Sequence, residues 1–279
     1  MVDTRDLKSL DLYRLCGFES RFEHRSTLAF PTMAGRILKS LSLAAILAAC
    51  TPLAAQNISY NLYIGLGPLK VNAGQASLSS SYADYDGRAA VYTVLSMTTD
   101  GGADRIYQLR DTIESYNTPS GESLFYSKRV HEGSKNNLET AVFSQDQGHF
   151  IVNLHTIDVN TLKETGKSTQ WRDERIYDML SMLQFARGID TSDKEPGYTE
   201  SLPMVNGDMV VQQYLVYEGN RKVRADDGNS YDCLVISVRD WKYEKERETL
   251  KAYVTADRAH KPVQLDIAVG PASLKAIMK

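Results

Sequence analysis

ISYNLYIGL, residues 58–66, carries an apolar side chain at every even position: Ile58, Tyr60, Leu62, Ile64 and Leu66. Successive side chains of a strand point to opposite faces, so a period of two over this length predicts a strand with one buried face. Beyond it the parity flips. Leu69, Val71 and Ala73 are apolar, but after Gly74 the pattern continues at Ala76 and Leu78. A glycine at such a slip predicts a bulge or a sharp bend, where the chain must adopt a conformation that a side chain would obstruct.

Working outward, strand pattern recurs over 89–98, 104–116, 123–130, 138–143 and 149–158. After a loop through Pro196, Gly197 and Pro203 it resumes over 209–218, 231–243, 250–255, 263–269 and 274–278. Asp86-Gly87, Asp100-Gly101-Gly102, Pro119-Ser120-Gly121, Glu132-Gly133, Gln147-Gly148, Asn206-Gly207 and Asp226 to Asn229 punctuate these runs. Short strands at regular spacing with turn residues between them predict an antiparallel meander.

One helix interrupts it, over 173–187, ended by Gly188. Ile176, Met179, Leu180 and Leu183 fall on one face, and Asp173 and Glu174 suit the positive N-terminal end. About a dozen antiparallel strands with no alternation of strand and helix must curl or close to hide their edges. The expected fold is therefore mainly β: a strongly curved antiparallel sheet or incomplete β-barrel, with the long helix packed on its concave side or open end. It forms a single all-β domain over 56–279.

Residues before 56 read differently. From Met33, MAGRILKSLSLAAILAAC has basic Arg36 and Lys39, then an uncharged apolar run from Ser40 to Ala49. A basic segment, a short apolar core and small residues beyond it make a secretory signal peptide, too short for a relaxed membrane span. Residues 33–55 are thus read as a leader, and 1–32 as a mis-assigned start or disordered extension. Two cleavage chemistries fit. Leu47-Ala48-Ala49-Cys50 matches a lipobox, in which Cys50 would be acylated, whereas Pro52-Leu53-Ala54-Ala55 resembles an ordinary signal-peptidase site before Gln56. The apolar continuation from Thr51 to Ala55 and the strand pattern that follows it closely favour the soluble form. The expected location is the periplasm or the outer membrane, with membrane contact only through such an anchor.

Without residues 1–55 the chain keeps 25 of its 32 Lys+Arg and 30 of its 35 Asp+Glu. This mild acidity argues against a nucleic-acid partner. Cys233 is then the one cysteine left, in a strand context, so no internal disulfide supports the fold. No cofactor or metal is indicated. Gly166-Lys167-Ser168-Thr169 resembles the end of a phosphate loop, but Thr161 stands where the loop needs its first glycine. His131, His149, His155 and His260 lack metal-ligand spacing. No G-x-S-x-G elbow occurs.

Sixteen tyrosines, many on strand segments, combine apolar area with a polar tip. They suit cross-strand packing and equally a cavity for an amphipathic ligand. The candidate cavity lining is Tyr60, Tyr92, Tyr126 and Tyr214 from the sheet with Ile176, Leu180 and Leu183 from the helix.

The C-terminal run also resembles a known family. Thr255 and Asp257 in a T-x-D turn, Pro262-Val263 opening the next strand and Val269-Gly270 before a last short strand are similar to the closing signature of the bacterial domain of unknown function 3108. Tyr177-Asp178-Met179-Leu180-Ser181 followed by Arg187 resembles that family's helix, and Tyr60 to Gly74 its first hairpin. The resemblance implies an exported envelope protein with no established activity and no catalytic residues to carry over. More loosely, the curved sheet with its helix is similar to periplasmic lipoprotein carriers and lipocalin-like binders. The expected function is non-enzymatic binding of a lipid or other apolar or amphipathic envelope component. The alternatives are an envelope assembly or interaction protein with a protein partner, and an envelope hydrolase built on a serine or Cys233.

Overall fold

The computed structural model of the protein describes residues 56–279 except 67–68, 106–107, 243–244 and 270–271. The leader, the preceding extension and Cys50 lie outside the described residues. Fourteen strands run in chain order as β1 Gln56–Leu66, β2 Leu69–Tyr85, β3 Arg88–Thr99, β4 Arg110–Asn117, β5 Ser123–Glu132, β6 Lys135–Asp146, β7 His149–Asp158 and β8 Lys163–Arg172. After helix α1, Met179–Arg187, come β9 Thr199–Asn206, β10 Met209–Arg224, β11 Ser230–Lys242, β12 Lys245–Thr255, β13 Pro262–Val269 and β14 Ala272–Met278.

All fourteen form one antiparallel sheet, ordered β8-β7-β6-β5-β4-β3-β2-β1-β14-β13-β12-β11-β10-β9. Each neighbour in space is a neighbour in sequence except at β1–β14, where the first strand pairs with the last from Tyr60↔Met278 to Gly65↔Ser273. The expected barrel is thus present and nearly closed. Its inward face follows the register. Ile58, Leu78, Leu95 and Ile113 lie opposite one another across β1 to β4. Leu62, Ala276, Leu265, Ala252, Ile236 and Tyr217 do the same from β1 round to β10. All of these side chains are buried, which is the outcome of having period-two sequences in matched register.

The slip at Gly74 is a bulge. Leu62 pairs with Gly74 and Tyr63 with Asn72, leaving Ala73 as the extra residue. Gly74 has φ of +149°, and a Cβ there would stand 2.0 Å from the Thr98 carbonyl oxygen. Only glycine fits.

Three expectations need correction. The helix begins at Met179 instead of 173, because the preceding stretch is extended and is used as a strand mate. Tyr177 N–H donates to the Pro203 carbonyl at 2.9 Å and Val205 N–H to the Tyr177 carbonyl at 2.9 Å, a single bridge to the free side of β9 at Met204. The stretch 104–116 is a 3-10 turn at Ala103–Arg105 followed by a strand that starts only at Arg110. Two strands were invisible in the pattern. β8 puts Gly166, Ser168, Gln170 and Arg172 on the parity that pairs with the inward Thr156, Leu154, Val152 and Phe150, so it has no apolar alternation. β9 contains Pro203, which is compatible with its place at the end of the sheet.

The remaining gap, between β8 and the start of β10, is closed by side chains. Ser168 Oγ donates to the Asp208 carbonyl at 2.6 Å and Gln170 Nε2 to the same oxygen at 3.1 Å. Val210 N–H donates to Gln170 Oε1 at 3.0 Å, and Arg172 Nη2 to the Val210 carbonyl at 3.1 Å. The stretch ahead of Tyr214 is available for this because β11 pairs with β10 only from Tyr214 onward.

Candidate functional site

The helix decides what space is left inside the barrel. Asp178, its N-cap, is fully buried and accepts four hydrogen bonds. Oδ1 takes the N–H groups of Leu180 and Ser181 at 2.8 and 2.9 Å, and Oδ2 the hydroxyls of Ser115 on β4 and Ser123 on β5 at 2.9 and 2.6 Å. Burial raises the carboxyl above its ordinary value, opposed by the bonds from Ser123, Ser181 and Ser115. Further along, Gln184 Nε2 donates to Thr93 Oγ1 on β3 at 3.0 Å. At the other end the buried Arg187 donates through Nε to the His260 carbonyl at 2.6 Å, and through Nη2 to Gln56 Oε1 at 3.0 Å and the Ala259 carbonyl at 3.3 Å. Burial lowers its pKa, countered by Tyr60 nearby.

Leu180 and Leu183 therefore face a filled interior. Together with Ile176, Tyr60 and Tyr126 they belong to one apolar cluster in which each is below a tenth exposed. Tyr60 is completely buried, with its hydroxyl donating to the Pro262 carbonyl at 2.9 Å, and burial pushes its pKa well up, eased by Arg187. The structure brings these five of the seven predicted lining residues together, as packing. It does not bring in the other two. Tyr92 lies on the opposite face of β3 from the inward Thr93, its ring centroid 4.7 Å from that of Tyr116. Tyr214 is half-buried on the face of β10 opposite Leu215.

Open space lies instead at one mouth of the barrel. A cleft of about 330 Å³ is bounded by the starts of β3, β5 and β7, the end of β6 and the extended stretch ahead of α1. Its apolar floor is made by Leu124, Phe143, Phe150 and Ile176, and around it the lining is polar, with Ser123, Ser144 and Gln145 beside the charged Arg88, Glu122 and Arg175. Arg175 Nη2 reaches Glu122 Oε1 at 3.3 Å, and Nη1 reaches the Ser120 carbonyl at 3.3 Å. Of the predicted lining, only Ile176 touches this cleft. The signal available in sequence was weak: Phe143 and Phe150 lie on either side of the Gln147-Gly148 turn but are not directly opposite, their partners across the ladder being Val152 and Gln145.

The remaining chemistry-bearing residues are dispersed. Cys233 is buried, its thiol pushed up to about 11 by burial with Asp232 and Asp257 adding to it, far from the thiolate state that nucleophilic attack requires. His149 and His155 share the outer parity of β7, yet each meets its own carboxylate, Asp173 at 2.7 Å and Glu164 at 2.5 Å. Among the described residues no group of three or more His, Cys, Asp or Glu side chains is arranged to hold a metal ion. The phosphate-loop look-alike lies on β8, where Ser168 serves the seam.

Against known proteins, a family model described as a protein of unknown function (DUF3108) matches residues 59–279. A crystal structure of a beta-barrel-like protein of domain of unknown function DUF1849 from Brucella abortus superposes with a TM-score of 0.55 at 10% identity. The match covers 81% of this chain and 95% of that one. At that identity the likeness is one of fold. No curated protein matches the chain.

Proposed function

The chain belongs to the DUF3108 family, and from that premise we propose that it is an exported, non-enzymatic binding protein of the cell envelope, taking an amphipathic component into the cleft at the barrel mouth. The observation that carries this reading is the cleft's division into an apolar floor of Leu124, Phe143, Phe150 and Ile176 and a charged rim. Such a division matches a ligand with an apolar and a polar end. Export rests on the leader pattern of residues 33–55, and the packed interior directs binding to the mouth and away from the barrel axis.

The test is a titration of the mature chain with N-phenyl-1-naphthylamine, an uncharged fluorescent apolar probe, beside a Gln145→Trp variant. Gln145 is exposed and stands opposite Phe150 in the β6–β7 register, so an indole there occupies the cleft without entering the core. Probe affinity is expected to fall about tenfold while the melting temperature holds. Equal affinity in the two proteins would sink the reading. Native and denatured masses of the protein taken from its own envelope would identify the resident ligand, and would show whether the chain starts at Gln56 or at acylated Cys50.

A second reading, an interaction protein that adds a partner strand, draws on β8. Among the described residues this strand has a backbone ladder on one side only, its other side being held to β10 by side chains that a partner strand would displace, and its Trp171 is 57% exposed. Crosslinking from position 171 in intact cells that recovers no repeated protein partner would remove it.

A further inference from the structure

We infer that the ligand of the mouth cleft is an anionic amphiphile whose headgroup sits against Arg88 and Arg175; this rests on the cleft being the binding site. The lining contains two guanidinium groups and a single carboxylate, Glu122. Arg175 is incompletely engaged. Its two hydrogen bonds, to the Ser120 carbonyl and to Glu122, are both 3.3 Å, at the long end for hydrogen bonds and well beyond the distances of a close guanidinium–carboxylate pair, and its guanidinium also stands 5.9 Å from the centre of the Tyr177 ring. Elsewhere in the molecule arginine pairs closely: Arg110 with Asp104 and Arg247 with Asp240 are both at 2.6 Å. Arg88 is exposed and, among the described residues, its side chain has no hydrogen bond or ion pair. A planar fork held loosely over an apolar floor is suited to a phosphate or carboxylate oxygen pair, which it can grip through two parallel N–H groups.

The floor requires the rest of the ligand to be apolar. Ile176 belongs to the core cluster, Phe143 and Phe150 pack against that cluster, and Leu124 is buried, so a chain entering over these side chains displaces water from apolar surface. Glu122 then acts as a placeholder, occupying Arg175 until a stronger anion displaces it.

Three twelve-carbon amphiphiles separate the possibilities by calorimetry: dodecyl phosphate, dodecanol and dodecyltrimethylammonium, with inorganic phosphate as a chainless control. Dodecyl phosphate is expected to bind about tenfold tighter than dodecanol, the weight of one screened charge-assisted contact, and the cation and free phosphate weakest. Arg88→Gln should erase most of that preference. Glu122→Gln should raise phosphate-headgroup affinity several-fold by releasing Arg175, an effect that a merely structural ion pair would not give. Dodecanol binding as tightly as dodecyl phosphate, or a preference untouched by Arg88→Gln, would overturn the anionic headgroup while leaving the cleft as a site. Free phosphate binding as tightly as its dodecyl ester would overturn the amphiphile in favour of a plain anion. Failure of every chain-bearing probe would overturn both readings.

Discussion

The barrel joins distant parts of its chain in two different ways. At β1–β14 the first and last strands pair through a backbone ladder from Tyr60↔Met278 to Gly65↔Ser273. Beneath it Tyr60, Leu62, Leu274 and Ala276 are all buried. At the seam between β8 and β10, and along α1, the joins are made by side chains: Ser168, Gln170 and Arg172 across the gap, and Asp178, Gln184 and Arg187 between the helix and its surroundings. A ladder join is cooperative, since register, burial and hydrogen bonding all fail together when it slips. A side-chain join is a set of separate contacts, each replaceable. The difference teaches that this barrel is continuous through its termini and only fastened at its seam.

Mutations can sharpen that contrast. Leu62→Ala, in the fully buried belt at the ladder join, is expected to cost about 3 kcal/mol from lost burial and the resulting cavity, read from chemical denaturation as one cooperative transition. A loss below about 1 kcal/mol would mean the ladder join is no stronger than the seam. Asp178→Ala should cost about 2 kcal/mol, through the lost cap and the Ser115 hydroxyl left without its acceptor, while Ser123 keeps Ser181 as a partner.

At the seam, Gln170→Ala removes an acceptor from Val210 N–H and a donor to Asp208 and is expected to cost about 1 kcal/mol or less. Its signature should be local: hydrogen exchange in β8 should quicken while β1 and β14 keep the protection of global unfolding. Equal acceleration in β1 would break the distinction between the two joins. The smallest expected effect is a slope. Because burial raises the folded-state pKa of Asp178 above the ordinary 3.8, its protonated form is the one the fold favours. That contribution is fully present below the unfolded value and is lost as pH rises through the folded one. Relative to Asp178→Asn, the native protein should therefore gain stability as pH falls from about 7 towards about 4. A difference that stays flat across that range would contradict the burial effect.

Legibility followed the same division. Strands with apolar alternation, such as 58–66 and 149–158, and the slip at Gly74 could be read directly, since a period of two and a glycine obstruction are local facts. The helix was legible from Met179 onward. Its predicted first residues were not, because Ile176 is buried from an extended segment that happens to fall in step with the helical stripe. β8 was hidden because its inward parity carries Gly166, Ser168, Gln170 and Arg172, the last three of which reach the start of β10. The candidate site was the least legible part. Tyr60, Tyr126, Leu180 and Leu183 have the composition of a cavity lining, but composition does not distinguish side chains that line a space from side chains that fill it.

What the sequence determined by itself was the class of fold: many antiparallel strands in meander order, an apolar face on most of them, one helix, and family membership through its closing signature. These follow from contacts between near neighbours in the chain, whose geometry repeats every two or 3.6 residues. What only the tertiary structure decided was the closure and the opening. Which polar residues of β8 meet which carbonyls of β10, and which rings and arginines gather at the mouth, depend on how the sheet curls. That curl is the sum of small twists over fourteen strands, a quantity no local stretch of sequence contains.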